Sequence, residues 1–356
     1  MSRVLFLIVV LVAFSIPANS VPPARAAAAL SFSFANGTLA EDEALVRNGV
    51  KFAEEFFGAE FGISIDAPVT IDVRGTQQYD VIAYTGPGSI SIATGALGWH
   101  YSPALRKLQT VIHEYVHLIH WQSDPDGTMP LWLAEGSSEY LAWYAIGRLG
   151  LLDLDVARDF WIGSVLTNPL LSGVPLSALE EPSQAGASSV YEIGAYAVSQ
   201  LVAQAGVAAL FDYFTLQAGE DRAQAFERAF GLSFGAFYAN FEANRAAAYP
   251  AGYDVTRLTF PWYPATDPAD VSGATAWPVV QPGGFSLVQA RTAPGTTCSL
   301  TFIDPNDQPI LEQQMRANSD GSIFWLWQLE DLTVTGRAQA SISCGLNSEQ
   351  VPIDIG

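Results

Sequence analysis

Basic side chains are scarce. The chain carries 16 Lys and Arg against 36 Asp and Glu over 356 residues, and only Lys51 and Lys107 are lysines. The formal net charge of -20 and a pI near 4.3 exclude the basic face that a nucleic-acid binder needs to neutralise phosphates. Cysteine is nearly absent. Two residues, Cys298 and Cys344, exclude a disulfide-dense miniprotein and a multi-Cys zinc ribbon. Charged residues make up only 15% of the chain while hydrophobic ones make up 49%, which excludes intrinsic disorder. No internal repeat is present. Histidine is rare as well, yet all four, at 100, 113, 117 and 120, fall within 21 residues.

Length suggests two domains, or three, at about 150 residues each. The N-terminus reads Met-Ser-Arg and then Val4 to Ile16, where Ser15 is the one polar residue. That run is shorter than the roughly 20 residues of a membrane span. With a basic start before it and small residues after it, the pattern is that of a cleavable secretory signal over residues 1–26. The expected location is therefore secreted or extracytoplasmic, with an uncleaved membrane anchor as the weaker alternative. In an oxidising compartment Cys298 and Cys344 are expected to form an inter-strand or inter-sheet disulfide.

Hydrophobic periodicity predicts an α+β chain. A helix is expected over Glu41–Phe61, then short strands over Pro68–Arg74, Val81–Tyr84 and Ser89–Ala93. Ser102-Pro103 predicts a helix start, with the hydroxyl as cap, running to about Trp121. A second helix is expected from about Pro130 to Leu149, and further helices from Asp153 to Ala248. Residues 251–284 lack a period and read as a linker. Beyond them five strand-like runs between Phe285 and Cys344 predict a small β-sandwich over 285–356, with a turn at Asn318–Gly321.

Residues 113–117 read His-Glu-Tyr-Val-His. On a helix, positions i and i+4 share a face, so His113 and His117 can reach one metal ion while Glu114 points to the flank, within reach of a water. The chance of this pattern arising at random in such a composition is on the order of a few thousandths, which favours a zinc motif. A catalytic zinc needs a third protein ligand and one open position. His120 lies on the same helix, about 10.5 Å along its axis from His113, and is expected to pack or to face substrate. His100 precedes the helix and is expected to act locally. The better third ligand is Glu135, in Leu131-Trp-Leu-Ala-Glu-Gly-Ser-Ser-Glu139-Tyr140, seventeen residues after His117. That gap allows a turn and an antiparallel return. Glu135 and Glu139 are again i and i+4, so one can bind metal while the other orients an imidazole.

The sequence HEYVH followed by PLWLAEGSSEY resembles the gluzincin metallopeptidases, in the peptidase-MA-like branch related to the large zinc aminopeptidases. The resemblance covers roughly residues 40–250 and implies a zincin-like domain over about 30–250, a small mixed sheet with a mostly helical lobe. It implies Zn²⁺ held by His113, His117 and Glu135, Glu114 as general base, and Glu139 behind His113. Ser189-Val-Tyr191-Glu-Ile-Gly194-Ala is similar to the Tyr-x-x-Gly segment of the aminopeptidases, which implies that the Tyr191 hydroxyl stabilises the tetrahedral intermediate. One family feature is missing. The Gly-x-Met-Glu-Asn segment that fixes a substrate amino terminus is replaced by SISIATGAL at Ser89–Leu97, although that strand can still serve as an edge for an extended peptide. The tail is similar to immunoglobulin-like modules of bacterial secreted proteins.

The expected function is a secreted zinc metallopeptidase acting on a peptide or protein substrate, with no nucleic-acid partner and with cell-surface or glycan contact through the C-terminal module. The alternative is a non-catalytic metal-containing binding protein at the cell surface. A di-iron carboxylate bundle would need a second Glu-x-x-His unit, and the four histidines provide none.

Overall fold

A computed structural model describes residues 29–75, 82–167, 169–181, 189–245, 271–277, 279–317, 321–330, 332–345 and 347–356. The expected signal over 1–26, residues 251–270 of the expected linker, Val81, and Asn318–Asp320 of the expected turn lie outside these residues. The fold is α+β, with a helical lobe following a small mixed sheet and a separate pair of sheets at the C-terminal end.

The N-terminal sheet is built from β1 (Leu30–Phe34), β2 (Val69–Arg74), β3 (Ala83–Gly86) and β4 (Ser89–Ala93), in the order β1-β2-β4-β3. Alternation places Val69, Ile71 and Val73 of β2, with Ile90 and Ile92 of β4, in the core. β1, β2 and β4 are parallel, and β3 turns back antiparallel to β4. This corrects the expectation for Ser89–Leu97. The strand of that segment, β4, is interior, and among the described residues β3 ends that side of the sheet because it turns back on β4 alone.

Helix α1 (Ala40–Phe61) lies between β1 and β2 in sequence, stops at a left-handed Gly62, and stacks Phe57 on Tyr115 at 6.1 Å. A short α2 (Leu97–Tyr101) leads into α3 (Ala104–Ser123). The expected cap is different from the one observed. Pro103 occupies the N-cap position, and the Ser102 hydroxyl donates to the Gly98 carbonyl instead of capping α3. Helix α4 (Leu131–Arg148) carries Trp132, Leu133, Leu141, Ala142 and Ile146 fully buried, the pattern of a central helix. The lobe continues with α5 (Leu154–Thr167), α6 (Pro169–Ser172), a 3₁₀ turn (Leu176–Leu179), α7 (Ser189–Ala205), α8 (Ala208–Gln217), α9 (Arg222–Phe230) and α10 (Phe234–Arg245). Among the described residues no single helix is long and apolar enough to cross a membrane.

At the C-terminal end, β5 (Ser272–Ala276), β7 (Phe285–Arg291) and β10 (Ser322–Gln328) form one sheet in the order β10-β7-β5. The other sheet, in the order β6-β12-β11-β8-β9, is formed by β6 (Val279–Val280), β8 (Thr297–Ile303), β9 (Pro309–Arg316), β11 (Gly336–Cys344) and β12 (Asn347–Ile355). The expected linker therefore contributes β5 and β6 to the sheets. Phe302 of β8 packs on Trp327 of β10 at 5.4 Å. Cys298 and Cys344 sit opposite each other on β8 and β11 and are bonded, so the disulfide is inter-strand within one sheet. The sheets dock on α1 through an edge-to-face contact of Phe52 with Phe285, the Asn48 amide donating to the Leu326 carbonyl, and the Lys51–Glu330 ion pair.

Candidate metal centre and its cleft

Helix α3 presents His113 and His117 one turn apart, and α4 returns beside it with Glu135. The two Nε2 atoms are 3.1 Å apart, and Glu135 Oε2 lies 3.2 Å from His113 Nε2 and 3.3 Å from His117 Nε2. These three groups are buried or half-buried and could hold a metal ion. The triangle suits a small ion. Bonds of about 2.0–2.1 Å at tetrahedral angles space ligand atoms about 3.3 Å apart. Two imidazole nitrogens and one carboxylate oxygen are also a donor set that zinc accepts with a fourth position left open.

Electrostatics favour a cation there. Burial alone would lower the His113 imidazolium pKa, but hydrogen bonding to Glu135, the nearby Glu139 and the charges of Glu135 and Glu114 push it up to about 10. Burial opposes ionisation of Glu135, yet the imidazoles of His117 and His113 hold its carboxyl well below the usual range. Glu139 is buried and still held far below that range, against its desolvation, by Arg106 and His113. Its oxygens accept from Arg106 and Trp143 at 2.9 Å and from Gln109 at 2.8 Å, and Oε2 lies 3.6 Å from His113 Nδ1. Four partners account for a charge at this depth, and the position behind His113 is the one expected from the sequence.

Glu114 is not one of the three grouped ligands but lines the same cleft. Thr85, on the edge strand β3, donates its hydroxyl to Glu114 Oε2 at 2.6 Å. Sequence spacing could not find this partner, because it comes from another element 29 residues away. Tyr191, near the start of α7, places its ring 5.8 Å from that of His113. Burial and the charges of Glu135 and Glu114 push its phenol pKa up, so the hydroxyl keeps its proton. His120 is not a member of the triangle; it packs on Phe214 at 4.7 Å and lines the cleft. Its Nδ1 lies 3.3 Å from His117 Nδ1, and burial with the neighbouring His117 lowers its pKa well below the ordinary value. His100 lies on α2, away from the residues that line the cleft.

His113, Glu114, His117, Glu135 and Tyr191 open onto a cleft of about 1010 Å³. Its other walls come from Tyr84 and Thr85 of β3, the loop after α3, and the α8–α9 junction. Glu180, Asp221 and Arg222 line it, with Arg222 paired to Glu180 at 2.9 Å.

No protein-family profile and no curated protein matches the chain. Among solved structures, it is similar to aminopeptidase A from Legionella pneumophila in complex with aspartic acid, at 13% identity and a TM-score of 0.40. That match covers 85% of this chain and 34% of the other, so the chain spans about a third of the Legionella protein. A conserved protein of unknown function from Bacillus anthracis str. Ames is similar at 13% identity and a TM-score of 0.28, over 89% of this chain and 66% of the other.

Proposed function

We propose that the protein is an exported zinc metallopeptidase of gluzincin type that hydrolyses peptide bonds. The observation that carries this reading is the convergence of His113 Nε2, His117 Nε2 and Glu135 Oε2 to 3.1–3.3 Å inside a cleft that also holds Glu114.

Zinc, when bound, supplies a Lewis acid that acidifies water and polarises a carbonyl. In this proposal the chain does the rest. Glu114 takes the proton of the attacking water and returns it to the leaving amine. Thr85 fixes the Glu114 carboxylate in one orientation. Tyr191 donates its retained proton toward the developing oxyanion. Glu139 fixes the ring of His113. Strand β3, at the end of the sheet, lines the cleft where an extended peptide or protein substrate would lie, with the Thr85 carbonyl already taken by the Trp121 indole N–H. The missing amino-terminus anchor favours cleavage that does not require a free substrate α-amine.

Export is supported by the Cys298–Cys344 bond, which suits an oxidising compartment, together with the N-terminal signal pattern. The zincin domain over 30–250 and a β-sandwich module that begins with β5 and runs over 272–356, contacting the cell surface or a glycan, complete the proposal. Profiling the intact protein on a peptide library, with and without chelator and beside Glu114→Gln, tests it. Chelator-sensitive cleavage that the variant lacks is the expected result. A zinc-loaded protein that cleaves nothing would overturn the peptidase and leave the non-catalytic binding protein.

A further inference from the structure

The side of His117 that faces away from the triangle fixes a proton arrangement. His117 Nδ1 faces His120 Nδ1 and Ser138 Oγ, each at 3.3 Å. Two ring nitrogens can bond only if one carries the proton and the other a lone pair. The far side of His120 decides which. Its Nε2 lies 3.1 Å from Ser137 Oγ. Ser137 has one hydroxyl proton, and the Leu133 carbonyl, 2.6 Å away, can only accept it. Ser137 Oγ is thereby left to accept from His120, so Nε2 of His120 bears the hydrogen and its Nδ1 is bare. That lone pair takes the Nδ1–H of His117. A neutral His117 with its proton on Nδ1 has its own lone pair on Nε2, the atom that stands in the triangle.

We infer that His120 is a positioning residue that selects the metal-binding tautomer of His117, and that Ser137 in turn sets the tautomer of His120. The relay mirrors Glu139 behind His113, with a neutral acceptor in place of a carboxylate. The inference rests on the metal-site reading proposed above. Ser138 is a second acceptor for the same His117 proton and does not change its direction.

The experiment is a zinc dissociation constant by chelator competition on the intact protein, with the thermal midpoint of the metal-free form measured beside it. The substitutions are made in a Ser138→Ala background, so that no second acceptor remains: His120→Leu then removes the acceptor, and His120→Asn returns an amide oxygen near the position of Nδ1. Loss of an outer hydrogen-bond partner weakens metal binding about 10–100-fold, and that loss is expected for Leu and not for Asn. Ser137→Ala, a smaller change, frees the His120 tautomer and is expected to weaken zinc several-fold. A role limited to packing on Phe214, whose ring is 4.7 Å away, would lower the metal-free midpoint and leave zinc affinity alone. An affinity unchanged from that of Ser138→Ala when His120→Leu or Ser137→Ala is added to it, or an Asn variant as weak as Leu, would overturn the inference. Failure of the wild type to bind zinc would instead overturn the site on which it rests.

Discussion

Gly136 and Gly194 lie backbone against backbone where α4 crosses α7. A Cβ on Gly136 would stand 2.3 Å from the Gly194 carbonyl carbon, and one on Gly194 would stand 2.4 Å from the Trp132 carbonyl oxygen. Glu135 precedes the first glycine and Tyr191 sits one turn before the second, so this contact sets how closely Tyr191 approaches the triangle.

Gly194→Ala is therefore expected to force the two helices apart. Overpacking of this kind costs about 1–3 kcal/mol, and more where only backbone can yield. His113, His117 and Glu135 sit on α3 and α4, so zinc affinity should change less than turnover. Thermal unfolding, zinc competition and kcat on one peptide substrate distinguish these effects. Equal losses of zinc and kcat would mean that α7 does not act through Tyr191.

The base and the ligands separate by metal content. Glu114→Gln is expected to retain zinc and lose turnover by at least the 10²–10⁴-fold typical of a general acid–base group. His117→Ala is expected to lose both. Thr85→Val should lower kcat about tenfold with little change in KM, because it removes a hydrogen bond to a buried carboxylate. An unaltered rate in Glu114→Gln would refute the assignment of the base.

The triangle was legible because its spacing is local. His113 and His117 follow from i,i+4 geometry, and Glu135 from a short helical return. Thr85 and the His117–His120–Ser137 relay were not, because they depend on which strand lies at the sheet edge and on rotamers. His120 in particular is too far along α3 to complete the triangle, and nothing in its spacing announces a second role. Strands β7 to β11 are legible as short strand-like runs separated by turn residues. β1 was missed although Leu-Ser-Phe-Ser-Phe alternates, since it abuts an Ala- and Pro-rich stretch and pairs only with a strand 39 residues away. β5 and β12 are small or polar along most of their length, and β12 carries a proline, Pro352, which argues against a strand in sequence. Their strand state comes from pairing with β7 and β11.

The disulfide should matter to the sheets and not to the metal. Cys298 and Cys344 close a loop with a sequence separation of 46. Removing a native bridge of that size costs about 2–5 kcal/mol. A Cys298→Ala, Cys344→Ala double variant is expected to unfold at lower temperature with its zinc stoichiometry unchanged in the folded state. Loss of zinc before unfolding would show that the sheet region supports α3 through α1.

Stability of the metal-free protein should depend on pH through His113. Its folded pKa, raised to about 10, exceeds the ordinary 6.5, so the folded state holds a proton that the unfolded chain releases. The resulting stabilisation is fully present below about pH 6.5 and is lost as pH rises through about 10. Zinc competes for the same nitrogen, so its binding displaces that proton and its apparent affinity should rise about tenfold per pH unit across this window. Urea unfolding of the metal-free protein at pH 6, 8 and 10, beside zinc competition at the same pH values, measures both slopes. His113→Gln should flatten the first and abolish the second. A metal-free protein whose stability rises toward pH 10 would contradict a protonated His113 bridging Glu135 and Glu139.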